Sequence, residues 1–183
     1  MTSSTERTTA SARPTAPALF EAAYDAVSDD RVCGPLAVGI RAYAVEVACL
    51  ARELAPLVDA PQGEAFAAGL LHDLGELLLL AHDPTGYPEL LTARLPHDQQ
   101  LRSEKGRYGT DHALLGAEHL LDHRIAHVVA DAVADHHDPF GGFDPVTIVV
   151  AAADELVRGD AACRHAVGML DGDIAAPEIL RDR

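Results

Sequence analysis

Aromatic residues are scarce in this sequence of 183 residues, where they make up 4%, and tryptophan is absent. Hydrophobic residues nevertheless make up 48% of the chain, which is enough to fill the core of one domain. Because Ala, Leu and Val dominate this set, the predicted core is aliphatic and allows helices to approach each other closely.

Basic residues are also few. The chain has 14 Lys and Arg against 29 Asp and Glu, which gives a formal net charge of −15, and it contains no basic run. A nucleic acid or an anionic membrane surface attracts the opposite charge. We therefore predict neither as a partner.

Signals for export or membrane insertion are lacking as well. No apolar run approaches the ~20 residues of a membrane span, and the N-terminus has no hydrophobic signal region. The three cysteines, Cys33, Cys49 and Cys163, are far apart and odd in number. They indicate buried free thiols in a reducing compartment rather than a disulfide framework. The prediction is a soluble, cytoplasmic protein.

Helical periodicity dominates the centre of the chain. Residues 1–17 predict a disordered tail, residues 18–170 one helical domain, and residues 171–183 a loose tail. Apolar residues recur at helical spacing at Ala37, Ile40, Ala44, Val47, Ala51 and Leu54. Residues 64–82 predict a more uniformly apolar, central helix. We therefore predict an all-α fold.

Proline and glycine divide the second half of the chain into further helices. The predicted segments are one or two helices over 88–105, one from about Thr110, one over 124–137, and one from Asp144-Pro145 to about Arg158. The β-branched run 146–150 favours a helix over a strand, because it has the helical period and follows a helix cap.

The dipeptide His-Asp occurs four times among the ten histidines of the sequence. The pairs at 82–83 and 97–98 lie beside prolines in polar breaks, which predicts solvated loop residues. His72-Asp73 instead interrupts the most apolar helix. A buried, isolated carboxylate is costly, so Asp73 requires an arginine or a metal ion beside it.

Similar surroundings recur at four other residues. His112 opens a predicted helix, His136 and His137 stand at a helix end, and Asp154 lies within an apolar stripe. The alternative for Asp154 is an exposed salt bridge with Arg158 at i+4. A structural role is the alternative for each histidine taken alone. That role is predicted for His119, His123, His127 and His165.

The combination of imidazole and carboxylate groups points to a transition-metal site. These groups suit Zn, Mn or Fe better than Ca, and the absence of cysteine ligands argues against a closed structural zinc site. We predict one or two divalent ions, with Fe, Mn, Zn and Ni as the candidates.

Four ordered blocks make the pattern more specific: AGLLHDLGELLLL (68–80), the block 104–121 with GTDHALLGAEHLL, ADHHDP (134–139) and VVAAADEL (149–156). Together they resemble the HDOD family of the HD superfamily and, more distantly, the HD-GYP phosphodiesterases, over about residues 35–158. The resemblance implies a compact helical bundle in which Asp73 bridges the metals and takes part in catalysis. The metal ligands that it implies are His72, Asp73, His112, His136, His137 and Asp154.

Three features depart from that family pattern. Tyr43 stands where the preceding helix of HD proteins carries a histidine, and Glu76 stands where phosphodiesterase relatives often carry a lysine. A carboxylate at that position would repel a phosphate. The N-terminal helical portion is also shorter, because only residues 19–34 precede the matching region.

The resemblance supports two functional classes. The favoured hypothesis is a signalling or regulatory module that retains the metal cluster. Its partner would be a signalling protein or a small phosphorylated ligand, and it could form an oligomer. The alternative is a metal-dependent phosphohydrolase acting on a phosphoester or cyclic nucleotide, or, with less support, a di-iron oxygenase.

Substitution of individual histidines tests which helix faces point toward the metal. His112→Ala and His136→Ala should each reduce the metal content of purified protein, because they remove proposed ligands. His119→Ala and His123→Ala should leave it unchanged. Elemental analysis of untagged protein provides the measurement, and equal losses in all four variants would contradict the assignment.

Overall fold

The structure is a computed structural model that describes residues 13–138 and 144–159. Every regular element within these residues is a helix, which confirms the all-α prediction. The helices are α1 Ala16–Ser28, α2 Cys33–Leu54, α3 Gln62–Leu71, α4 Leu74–His82, α5 Gly86–Thr92, α6 His97–Tyr108, α7 His112–Asp122, α8 His127–Asp135 and α9 Pro145–Arg158, with a short 3₁₀ helix at Ala55–Val58.

Parts of the sequence predictions fall outside this range. Residues 1–12 of the predicted N-terminal tail, the whole predicted C-terminal tail, Cys163 and His165 lie outside the described residues. Helix α1 begins at Ala16, two residues before the predicted start of the helical domain. Cys33 and Cys49 are free thiols; Cys33 is buried and Cys49 is half-buried.

One predicted helix is two helices in the structure. The apolar stretch 64–82 breaks at His72-Asp73, where Asp73 has φ −102° and ψ 19°. Asp73 occupies the N-cap position of α4, but its side chain makes no capping hydrogen bond there. The break ends α3 and begins α4, and it leaves the carboxylate of Asp73 available to other partners.

Aspartate caps fix the start of the two helices that approach this break from the second half of the chain. The side chain of Asp111 accepts a hydrogen bond from the backbone N–H of Leu114 at 2.8 Å, which starts α7 at His112. Asp144 accepts one from Val146 at 2.8 Å and is followed by Pro145 at the first helical position. Both arrangements satisfy N–H groups that a helix start would otherwise leave unpaired.

Small residues allow the central helices to touch through their backbones. Helix α2 packs on α3 and α9, and α4 packs on α7. A Cβ atom added at Gly69 would lie 2.8 Å from the Cα of Ala48, and one added at Gly75 would overlap the carbonyl group of His112. The close contact of α4 with α7 brings the start of α7 next to the break at Asp73.

Two helical stretches, Cys33–Val58 and Gln62–His82, are long and apolar enough to cross a membrane by length and composition. This differs from the expectation that no apolar run approaches that length. Core helices pass the same test, and 72% of the second stretch's apolar window is buried inside the domain, against 39% for the first. The finding is weak evidence for a membrane span, and the absence of one stays a prediction.

The space around each glycine predicts opposite effects for two Gly→Ala substitutions, one at the contact between α4 and α7 and one away from it. Gly75→Ala should lower the free energy of unfolding by about 3 kcal/mol, because the new methyl group has to displace the backbone of α7. Gly39→Ala in α2 is the matched control, since nothing lies within 4 Å of its added Cβ atom. It should raise stability by about 0.5–1 kcal/mol. Urea unfolding measures both, and equal effects would contradict the packing described.

Candidate metal centre

The helix ends bring the six predicted ligands into one buried cluster. His72 and Asp73 form the α3–α4 break, His112 is the first residue of α7, and His136 and His137 directly follow α8. Asp154 lies in the last turn of α9. All six are buried except His137, which is half-buried.

Asp73 divides this cluster into two halves. Its Oδ1 atom lies 3.5 Å from His112 Nε2 and 3.6 Å from His136 Nε2. Its Oδ2 atom lies 3.0 Å from His72 Nε2, which is 3.6 Å from Asp154 Oδ1. We call the set Asp73 Oδ1, His112, His136 and His137 the His112 half, and the set Asp73 Oδ2, His72 and Asp154 the His72 half.

The His112 half has the dimensions of a metal site. One ligand atom from each of its four residues lies within 4.8 Å of the other three, and the Nε2 atoms of His112 and His137 are 2.8 Å apart. Nitrogen and oxygen atoms bound about 2.1 Å from one ion lie roughly 3 to 3.4 Å from each other. The observed separations are close to that range.

Hydrogen bonds at Nδ1 fix the orientation of three histidines of the cluster, two of them through backbone carbonyl groups. Nδ1 of His72 bonds to the carbonyl of Gly69 at 2.7 Å, and Nδ1 of His136 bonds to that of Val133 at 2.7 Å. Because each Nδ1–H donates, each ring directs its Nε2 atom into the cluster, where the neutral form of the ring offers a lone pair to an ion. Both Nε2 atoms are buried and lack a hydrogen-bond partner among the described residues.

Such buried, unpartnered atoms are uncommon in folded proteins and call for an explanation, such as an ion. The Nε2 atom of His72 likewise lies beside a carboxylate, 3.0 Å from Asp73 Oδ2. The donor set of three imidazoles and one carboxylate in the His112 half fits Zn, Mn, Fe or Ni.

Glu104, to which sequence analysis gave no role, orients the third histidine. Its side chain is fully buried, and its Oε2 atom accepts hydrogen bonds from Nδ1 of His112 at 2.8 Å and from its backbone N–H at 2.9 Å. The hydroxyl of Tyr87 donates to Oε1 at 2.9 Å. The signal in the sequence was a glutamate eight residues before His112, but only the packing of α6 shows where it points.

Glu76 lies beside the same group. The side-chain amide of Gln100 donates to Glu76 at 2.9 Å and to Glu104 at 3.0 Å, which links the two carboxylates. Burial and the charge of Asp73 raise the pKa of Glu76 to about 7. Ligand atoms of Glu76, Glu104 and His112 also lie within 4.8 Å of one another. Because His112 Nδ1 already donates to Glu104, we interpret this trio as support for the His112 half.

His97 corrects the expectation of a solvated loop residue. It is the first residue of α6, and its Nε2 atom lies 2.7 Å from the ring nitrogens of His137. Burial, followed by the charge of Arg158, lowers the pKa of His97 to about 4. The prediction was wrong because the local polar sequence does not reveal that the first residue of α6 contacts the segment directly after α8.

Asp154 combines the two alternatives that the sequence left open. It is buried, with 5% exposure, and it also pairs with Arg158, whose Nη2 atom is 3.0 Å from Oδ1 and 2.9 Å from Oδ2. The hydroxyl of Tyr43 donates to Oδ1. Burial would raise the pKa of Asp154, but the ring of His72, 3.6 Å away, and the charge of Arg158 hold it well below its usual value.

The comparison with known families agrees with this geometry. The model of the HDOD domain matches residues 19–139, which cover about two thirds of the chain and all predicted ligands except Asp154. The chain belongs to the HDOD domain family. No curated protein matches its sequence.

A solved structure shares the fold of this HDOD domain. It is a crystal structure at 1.62 Å resolution of a protein named "Putative phosphohydrolase" from Shewanella amazonensis SB2B, with a TM-score of 0.59 and 24% identity. The alignment covers 64% of this chain and 45% of the Shewanella protein. At this identity the likeness shows the helical fold alone.

The electrostatics of the HDOD domain predict how metal binding depends on pH. Burial alone would lower the pKa of His112, but the hydrogen bond to Glu104 and the charge of Asp73 raise it to about 9. An ion binds only the neutral ring, so it has to displace this proton. Metal affinity should therefore rise about tenfold per pH unit from pH 6 to 8. Competition with a chromophoric chelator measures it, and a flat profile would contradict the prediction.

Glu104→Gln tests whether Glu104 causes this pH dependence of metal affinity. It removes the charge that raises the pKa of His112 but keeps an oxygen that can accept from Nδ1. The rise with pH should move to lower pH, and affinity at high pH should fall about 10–100-fold because the ligand is less basic. Glu118→Gln, at an exposed position on α7, is the matched control and should behave as the parent.

Proposed function

We propose that this HDOD domain binds one divalent ion, Fe, Mn, Zn or Ni, in the His112 half. The observation that carries the proposal is the set of four converging ligand atoms, in which His136 directs a buried, unpartnered Nε2 at Asp73. An ion there would neutralise the buried carboxylate and give that nitrogen a partner.

The role that we propose for the site is regulatory, as part of a signalling module. The four ligands come from the α3–α4 break, the start of α7 and the end of α8, so a bound ion would tie three separate segments together. Its presence would then fix the relative position of these helices, to which a partner protein could respond. A signalling protein as the partner and a cytoplasmic location are parts of this proposal.

Charge around the site favours this role over phosphoester hydrolysis. Glu76 and Glu104 adjoin the His112 half, and the chain as a whole carries −15. A phosphate would meet carboxylates where an enzyme of this type needs cations.

A metal-dependent phosphohydrolase is the second candidate. The name of the Shewanella protein and the position of Arg158, whose partly exposed side chain lies next to Asp154, support it. A bound ion would supply Lewis acidity and an activated water. A di-iron oxygenase has less support, because it requires a second ion in the His72 half, where Arg158 already pairs with Asp154.

One experiment separates the two candidates by measuring stability and turnover on the same samples. Adding the preferred ion in excess should raise the midpoint of thermal unfolding by on the order of 5–10 °C, because the ion binds only the folded state. His136→Ala should abolish this shift, whereas His127→Ala, at an exposed position, should keep it.

Hydrolysis of a generic phosphodiester with Mn, Fe or Mg should stay at the level of the His136→Ala background. Turnover in the parent that disappears in His136→Ala would favour the phosphohydrolase instead. Absence of any thermal shift with each of the four candidate ions would contradict the metal site itself.

A further inference from the structure

We propose that the guanidinium of Arg158 takes the place of a second metal ion, so that the domain holds one ion rather than two. The proposal rests on the proposed metal binding in the His112 half and concerns the other half of the cluster. There the ligand geometry is partly present, but a positive side chain of the protein is bound to it.

The His72 half retains three potential ligands. Asp73 Oδ2 lies 3.0 Å from His72 Nε2, and Asp154 Oδ1 lies 3.6 Å from the same nitrogen. His72 is fully buried and Asp154 is nearly so, which means that solvent contributes little to their neutralisation. This half could therefore hold an ion if nothing competed for Asp154.

Arg158 is that competitor. It lies one helical turn after Asp154 on α9, and its Nη2 atom contacts both carboxylate oxygens, at 3.0 and 2.9 Å. The hydroxyl of Tyr43 donates to Oδ1 as well. A carboxylate oxygen has two lone pairs, so Oδ1 is fully used and Oδ2 retains one. Asp154 can offer a metal ion much less than its position in the cluster suggests.

Charge adds to this loss of lone pairs. An ion bound about 2 Å from Asp154 would lie within about 5 Å of the guanidinium, and the two cations would repel each other in a poorly solvated site. The His112 half differs, because the carboxylates Glu104 and Glu76 adjoin it and Arg158 reaches it only through His97. Repulsion by Arg158 thus acts more strongly on an ion in the His72 half than on one in the His112 half.

The position of Arg158 is also fixed from a second side. Its Nη1 atom contacts Nδ1 of His97, which in turn lies against His137. The guanidinium therefore bridges α9 and α6 across the His72 half. A comparison within the chain shows how unusual this is: Arg102 pairs with Asp98 at the same i, i+4 spacing, but both of those side chains are about two thirds exposed.

Metal stoichiometry tests the proposal. The parent should bind about one equivalent of Mn, and its electron paramagnetic resonance spectrum should be that of an isolated ion. Arg158→Ala should bind about two, with the affinity for the second ion raised on the order of 100-fold by loss of the repulsion. Arg158→Lys keeps the charge and should bind one. Arg102→Ala is the control for loss of an i, i+4 pair and should also bind one.

The outcomes distinguish this inference from the proposed function. A parent without metal would overturn both. A parent with two ions, or an Arg158→Ala variant that stays at one, would overturn the role of Arg158 and leave the His112 half intact. If Arg158→Ala does not fold, Asp154→Asn decides. It should keep one equivalent because Asp154 is not a ligand, and loss of that ion would contradict the proposal.

Discussion

The structure depends on the neutralisation of one buried carboxylate. Asp73 is 6% exposed at a break in the most apolar part of the chain, and its two oxygens face His112 and His136 on one side and His72 on the other. A carboxylate remains buried and charged only when positive charge lies beside it. The surrounding helices therefore have to place imidazoles, or an ion held by imidazoles, around Asp73. The backbone contact between Gly75 and His112 meets this requirement by bringing the start of α7 to the break.

Local sequence was sufficient to single out the residues of the cluster, because several of them conflict with their surroundings. A charged residue in an apolar stripe, as at Asp73 and Asp154, has few explanations, and helical periodicity shows which face it shares. The resemblance to HDOD proteins rested on the same residues, and the family match confirms it. The all-α fold followed from the same periodicity.

Features that depend on packing between distant helices could not be predicted in this way. His97 lies in a polar segment beside proline, and only the tertiary fold brings the start of α6 to His137, just after α8. Glu104 supports His112 across eight residues and a helix start. The break between α3 and α4 was also missed, since the apolar pattern runs through it. Arg158 was recognised as a partner of Asp154, but as an exposed one.

A single ion, bound by Asp73, His112, His136 and His137, is the arrangement that we expect. Anomalous X-ray diffraction from metal-loaded crystals, recorded on both sides of the metal's absorption edge, measures this most directly. We expect one anomalous peak within bonding distance of those four side chains, about 2 to 2.2 Å from their ligand atoms. A single peak between His72 and Asp154, two peaks on either side of Asp73, or no peak in metal-loaded protein would contradict the account.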